Sequence, residues 1–436
     1  MNDSAKVGII RRIDKEIRLF FFLLTFVVCC IRDYAPTPSG CVKTLPVHLA
    51  VNRKWPVNIL FLLKVAHVFK NIMYFCSMNE KFATTILRWF AENRRDLPWR
   101  ETTDPYAIWL SEIILQQTRI QQGMAYWQRF MERWPTVEQL AEATEDEVLR
   151  LWQGLGYYSR ARNLHTAARQ IVALGGFPRT LEGIKSLKGV GDYTAAAIGS
   201  IAFGLPVAVV DGNVYRVLAR HFGIDTPINT TEGKKLFAAM AQELLPADQP
   251  SAYNQAMMDF GAIQCTPASP RCLLCPLMES CEALRKGRVG ELPVKLKTLK
   301  VKTRHLIYIY IRYKGQTAIR RRPAGDIWQG LWEPYCIEHS PSDMELDSPS
   351  IEVISRSSLP APHSSTPSTP NLLCLKKSVR HVLTHRIIMA DFYLWQPEER
   401  PTLPDGYIWI NEERVEQYAV PRPIEMLLDE VHRQAT

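Results

Sequence analysis

A chain of 436 residues is longer than one hydrophobic core normally supports, so two or three packed units are expected. With 47% hydrophobic and 22% charged residues, the composition excludes a chain that is disordered from end to end. A formal net charge of +9 favours a polyanionic partner without saying which one.

Leu19 to Ile31 is almost wholly apolar and follows Lys15 and Arg18. It is short against the ~20 residues of a membrane span and closer to a signal-peptide core, yet no small-residue cleavage site follows it. Residues 1–77 therefore read either as an extension with a weak hydrophobic segment or, more plainly, as residues upstream of a true start at Met78. No stable membrane association is expected. A cytoplasmic protein is, associated with the nucleoid if the source is bacterial.

From Phe82 to about Leu284 the pattern is helical. Thr136 followed by Gln139, and Thr144 followed by Glu147, fit the capping box that satisfies orphan amides at a helix start. Gly154 sits where a helix would end. Val148, Leu151 and Trp152 give one apolar face, and Leu164, Ala167, Ala168 and Ile171 give the next, at the spacing of core stripes. Residues 285–304 carry eight Lys and Arg against Glu291 alone. They read as a linker, with a solvated connector and a strap along DNA phosphate equally open. Leu306 to Tyr313, with Trp328, Trp332, Tyr393 and Trp395, suggests strands in a second, mixed α/β domain over 305–436. Ser340 to Asn371, dense in Ser and Pro, is expected to be a long loop inside it.

Cysteine placement is uneven. Cys265, Cys272, Cys275 and Cys281 fall within seventeen positions, separated by six, two and five residues. Four thiolates so close together suit zinc or a [4Fe-4S] cluster. Structural zinc more often uses two Cys-x-x-Cys pairs, so the single pair here leans toward iron-sulfur. The bland alternative is four buried thiols.

Three further segments bear on chemistry. Leu187 to Thr194 (LKGVGDYT) is a two-glycine turn entering an Ala-rich helix, where backbone amides and the helix dipole suit a phosphate; a plain tight turn is the alternative. Val207 to Asn213 (VAVVDGN) delivers Asp211 beside a glycine, as a site carboxylate or merely as a helix cap. Trp109 to Leu115 (WLSEIIL) sets Glu112 among apolar neighbours, as a general acid in a dry cleft or as a surface or ion-paired glutamate. Two carboxylates in different environments suit cleavage of an N-glycosidic bond, one protonating the departing base and one stabilising the sugar cation.

Taken with Leu97 to Arg100 (LPWR), Trp109 to Thr118 (WLSEIILQQT), Gly154 to Tyr158 (GLGYY), Val210 to Arg216, Asn254 to Ala262 (NQAMMDFGA) and the four cysteines, the chain resembles the MutY-type adenine DNA glycosylases. The resemblance runs from Met78 to the C-terminus, dense to Cys281 and thinner beyond. It implies a mainly α catalytic region over 78–284, a six-helix barrel with a helix-hairpin-helix and an iron-sulfur module at 265–281, followed by an α+β, MutT-like (Nudix-like) domain that recognises oxidised guanine. It implies a monomer acting on double-stranded DNA in which adenine is mispaired with 8-oxoguanine or guanine, the adenine being flipped out of the stack. Glu112 takes the family's proton-donor position, Asp211 that of the carboxylate facing the sugar cation, and Asn213 that of the residue positioning it. Gln117 and Tyr157 match residues that wedge into the duplex. Gly189 and Gly191 fall in the hairpin, and Arg100 and Asp259 match positions near the adenine pocket. The cluster would be structural.

Tyr193 separates close relatives. Endonuclease III-type glycosylase/lyases carry a lysine there, whose amine forms a Schiff base; tyrosine cannot, so a monofunctional enzyme is expected. Val382 to His385 (VLTH) stands where many family members have Phe-Ser-His, which marks Thr384 and His385 as lesion contacts and leaves Leu383 without the aromatic. A non-catalytic DNA-binding protein would share the hairpin and the charge but gives no reason for Glu112 and Asp211 to coexist with a wedge.

Overall fold

The structure is a computed structural model and describes residues 79–296, 301–339 and 372–434. The apolar run at 19–31, the start at Met78 and the Ser340–Asn371 loop lie outside the described residues. In chain order the helices are α1 (residues 79–93), α2 (Pro105–Ile114), α3 (Ile120–Arg133), α4 (Val137–Glu142), α5 (Glu145–Trp152), α6 (Ser159–Ala173), α7 (Leu181–Ser186), α8 (Asp192–Phe203), α9 (Gly212–Phe222), α10 (Thr231–Leu244), α11 (Pro250–Asp259), α12 (Glu282–Arg285) and α13 (Arg422–Arg433). The strands are β1 (Lys302–Tyr313), β2 (Gln316–Arg321), β3 (Trp332–Glu333), β4 (Tyr335–His339), β5 (Leu372–Val382), β6 (Arg386–Trp395) and β7 (Tyr407–Asn411). None of the described helices is long and apolar enough to cross a membrane.

The chain divides into two compact units that interleave along the sequence. One holds residues 79–95 with Pro206–Leu296, the other Asp96–Leu205 with Lys297 onward. The second boundary falls within the 285–304 stretch, but residues 79–284 are shared between both units. The start of that stretch is built into the first unit: Arg288 pairs with Asp225 and Glu291, Arg220 Nε donates to the Leu292 carbonyl, and Ile228 N donates to the Val294 carbonyl. Its last three residues already belong to β1. Arg288 is thus engaged by carboxylates, and composition cannot register such contacts.

In the second unit, α2 begins on Asp104, whose carboxylate accepts from Tyr106 N and Ala107 N, with Pro105 in the first turn where its missing N–H goes unnoticed. The Thr144–Glu147 capping box forms in full, and Glu147 is held below the usual carboxylate range chiefly by the Thr144 amide and hydroxyl. At Thr136 only half of the box is present: its hydroxyl accepts from Gln139 N. Val148, Trp152, Leu164, Ala167, Ala168 and Ile171 are all buried, as their spacing requires.

The strands form one mixed sheet ordered β3-β2-β1-β6-β5, with β4 on β1 and β7 on β2; β1 and β6 run parallel and the other pairs antiparallel. Helical and sheet side chains of this unit share one apolar cluster, from Trp109 and Leu149 to Trp328, Leu331 and Ile424. At Gly330 (φ +84°) a Cβ would lie 3.2 Å from Leu149 Cδ1, so the loop backbone packs directly against a side chain of α5 there.

Candidate active site

Glu112 lies on α2 between buried Trp109, Leu110, Ile113 and Ile114, and is itself half-buried. Its Oε2 accepts a 2.8 Å hydrogen bond from the Tyr193 phenol, which stands on the first turn of α8. Small residues Ala195 to Ala197, all buried, let α8 pack against α2, and Gln116 Nε2 donates to Thr194 Oγ1 at 3.3 Å. The structure thus brings Glu112 and Tyr193 into direct contact. A tyrosine leaves Glu112 a neutral donor and leaves the unit without an amine at that point.

Asp211, in the other unit, is a helix cap, one of the two readings its sequence context left open. It is the N-cap of α9, its Oδ1 accepting from Asn213 N (2.9 Å) and Val214 N (2.8 Å), and its Oδ2 accepts from Asn213 Nδ2 at 2.6 Å. Burial pushes its pKa above the usual carboxylate value while these three bonds, and Arg216 nearby, pull against it. Arg216 in turn donates to Asn213 Oδ1 (2.8 Å), to the Gly261 carbonyl (2.6 Å) and to the Cys265 carbonyl (2.7 Å). Gly261 has no room for a side chain, because a Cβ would fall 2.5 Å from Asn213 Cβ. Asn213 is therefore fixed from three sides.

Asp259 is fully buried, with Oδ1 accepting from Arg95 Nε at 2.7 Å and Oδ2 from the Arg95 backbone amide at 3.0 Å. A carboxylate so held by a guanidinium and an amide anchors the chain that follows α1. Arg100 ends the short 3-10 turn Pro98–Arg100 in the other unit. Arg95 escaped notice because, beside Arg94, it reads in sequence as a solvated surface residue.

Cys265, Cys272, Cys275 and Cys281 line one small pocket with Arg220, Gln264, Met278 and Leu284. Among the described residues no group of three or more His, Cys, Asp or Glu is arranged to hold a metal ion as it stands, yet all four thiols open onto the same void. Arg220, buried on α9, spans the site by donating to Cys265 Sγ (3.4 Å) and to the carbonyls of Thr266 (2.7 Å) and Pro267 (3.0 Å). Burial pushes the Cys275 thiol up to about 11 and raises Cys281 also, so thiolates here need a cation to form. A cationic neighbour, four soft ligands and a void suit an iron-sulfur cluster better than an empty core.

Gly189 has φ +79°, and a Cβ there would lie 2.7 Å from Asn163 Cβ, whereas Gly191 has φ −95° with open space where a Cβ would go. The open side of Gly191 caps α8, where unshared amides face outward. Asp192 beside it is ion-paired with Lys185.

Gln117 and Tyr157 are two of the four described non-glycine residues with positive φ, at +58° and +46°. Both are exposed. Tyr157 opens onto a cleft shared with Trp328, His381, Leu383, Thr384 and His385. The three-residue turn Leu383–His385 joins β5 to β6, and the Thr384 hydroxyl is hydrogen-bonded to the Tyr157 phenol.

Comparison with known proteins assigns the class. Residues 110–245 match the HhH-GPD superfamily of base excision DNA repair proteins, and residues 307–430 match the NUDIX domain. An adenine DNA glycosylase of Homo sapiens is 42% identical over 265 residues, covering 57% of this chain and 48% of its own length. That of Buchnera aphidicola subsp. Baizongia pistaciae is 34% identical over 256 residues, covering 58% and 72%. A solved thermostable thymine-DNA glycosylase is 34% identical with a TM-score of 0.45, covering 48% of this chain and 97% of that one. The chain spans less than half the length of the mammalian and plant relatives it matches. It belongs to the adenine DNA glycosylase family.

Proposed function

We propose that the protein hydrolyses the N-glycosidic bond of adenine mispaired with 8-oxoguanine or guanine in double-stranded DNA. The observation that carries this reading is the contact between Glu112 and Tyr193. The phenol holds the Glu112 carboxyl in place to give up the proton that the departing adenine needs, a role worth ~10²–10⁴-fold in rate. Asp211, held as a carboxylate by Asn213 and Val214, faces the positive charge that grows on the sugar as the bond to the base breaks. Water then adds to the sugar carbon, leaving free adenine and an abasic strand. The phenol of Tyr193 forms no imine, so the strand is not cut in the same step.

In this reading Gln117 and Tyr157 fill the space that the flipped base vacates, and the amides around Gly189 and Gly191 hold phosphate. The turn carrying Thr384 and His385 contacts the oxidised guanine. Cys265, Cys272, Cys275 and Cys281 would hold a [4Fe-4S] cluster whose iron-thiolate bonds fix the 265–272 loop as a DNA-facing scaffold.

Single-turnover excision on duplexes with adenine opposite 8-oxoguanine, adenine opposite guanine, or thymine glycol tests the proposal. Adenine release with strand breaks appearing mainly after alkali is the expected result, abolished by Glu112→Gln with DNA binding nearly intact. Thymine glycol removal with direct nicking would move the protein to the endonuclease III type, and binding without any base release would leave a DNA-binding protein. Cys275→Ser is expected to lose the visible absorbance of the cluster and DNA affinity together; full retention of both would overturn the metal assignment.

A further inference from the structure

Arg160 lies one residue into α6 and three after Tyr157, and only 8% of it is exposed. Its Nη1 donates to the carbonyls of Ile113 (3.1 Å), Ile114 (2.9 Å) and Gln116 (2.6 Å), and its Nη2 to those of Leu155 (3.4 Å) and Gly156 (3.2 Å). Both nitrogens also reach Thr118 Oγ1, at 3.4 and 3.5 Å. The guanidinium carbon sits 5.0 Å from the Trp152 ring centroid and 5.8 Å from that of Tyr157.

These acceptors fall into three groups. Ile113 and Ile114 end α2, where unshared carbonyls concentrate negative charge that a cation neutralises. Gln116 and Thr118 flank Gln117. Leu155 and Gly156 immediately precede Tyr157. One side chain thus ties together the end of the helix that carries Glu112 and the two turns whose tips adopt left-handed backbone. Non-glycine residues hold that conformation only where the surroundings over-determine it.

A planar fork of five donors is suited to such a bridge, whereas a lysine ammonium is a single point and cannot satisfy both turns at once. Burial lowers the Arg160 pKa to about 10, which leaves it charged at neutral pH. In sequence this arginine is indistinguishable from a solvated helix residue, which is why the motif reading passed over it.

We propose that Arg160 is a positioning residue for base flipping: it sets the backbone from which Gln117 and Tyr157 meet the duplex and fixes the end of the helix that presents Glu112. The proposal rests on reading Gln117 and Tyr157 as the wedge.

The test uses the full chain carrying Arg160→Lys or Arg160→Gln. Single-turnover excision of adenine opposite 8-oxoguanine is fitted for amplitude and rate constant separately, beside the fluorescence rise of 2-aminopurine placed at the adenine position. For a folded variant we expect the amplitude to hold and the rate constant to fall roughly 10- to 100-fold, the scale of a misplacement of about 1 Å, with the fluorescence rise slowed in parallel. Combining Arg160→Lys with Gln117→Ala should slow excision by less than the product of the two single effects, since both act through one wedge. A wild-type rate constant with only the amplitude reduced would make Arg160 purely structural and overturn the proposal. Recovery of neither variant in folded form would likewise place it among residues the fold itself needs, and the positioning role would fall. Wild-type protein that brightens 2-aminopurine yet releases no adenine would sink the glycosylase reading, while a slowed rise in the variants would still support this one; a wild type that does neither overturns both.

Discussion

Under the proposed function, Asp211 has to be ionised in surroundings that resist ionisation. Burial raises its pKa, and the Val214 amide with the amide and side chain of Asn213 opposes that rise. Asn213→Ala removes the 2.6 Å bond from Nδ2, a donor that favours the charged form, so the pKa rises further. The working state is the carboxylate, which is lost as pH falls through its pKa. The acid limb of the excision profile is therefore expected to move to higher pH. Arg216 keeps the Gly261 and Cys265 carbonyls as acceptors in the variant, so its own seat survives. An acid limb that stays in place, with only the plateau lowered, would remove Asn213 from control of Asp211. The sequence already exposed this pair as an acid beside a glycine at a helix start. It presented cap and site as alternatives, and the structure shows the cap. The tie between Asp259 and Arg95 was not legible, because the two stand 164 positions apart, beyond any local pattern.

The hairpin between α7 and α8 separates what a turn requires from what a ligand requires. Gly189 is demanded by the fold, since its φ is left-handed and a Cβ would press on Asn163. Gly189→Ala is expected to destabilise the protein by roughly 1–3 kcal/mol, combining the αL penalty with overpacking. Gly191 has an ordinary φ and open space beside it, so Gly191→Ala should leave the thermal midpoint nearly unchanged. If phosphate approaches the amides at this end of α8, the added methyl group should still weaken binding to damaged and undamaged duplexes alike. Melting curves and fluorescence anisotropy on both variants distinguish the two cases. Unchanged affinity in Gly191→Ala would return the turn to a plain connection. The two glycines were plain in the sequence, but their different duties were not, because φ and the distance to Asn163 are tertiary properties. Helix starts were more legible: Thr144 and Glu147 close their box through residues three apart, while Thr136 accepts from Gln139 N without the reciprocal bond.

At the scale of the molecule, the sheet at the C-terminal end is no tethered accessory. It shares an apolar cluster with the helices of residues 96–205; Arg162 of the helices donates to the Gln329 carbonyl, and Arg321 of β2 pairs with the carboxylates of Glu145 and Asp146. Strand and helix periodicity announced both kinds of structure. Neither showed that the chain interleaves its units, since that depends on which faces meet. One contact in this unit bears on lesion recognition: the Thr384 hydroxyl is hydrogen-bonded to the Tyr157 phenol in the cleft below the β5–β6 turn. Under the proposed function, Thr384→Ala deletes a hydroxyl available to oxidised guanine and leaves Tyr157 on its own backbone. A neutral hydrogen bond is worth about 0.5–1.5 kcal/mol, so the preference for adenine opposite 8-oxoguanine over adenine opposite guanine should fall roughly 2- to 10-fold. The rate on the guanine mispair should hardly change, because guanine lacks the oxygen that distinguishes the lesion. Single-turnover rates on the two duplexes give the ratio directly. Equal slowing on both would mean that Thr384 serves only to steady Tyr157, and lesion reading would then have to be sought elsewhere along the cleft.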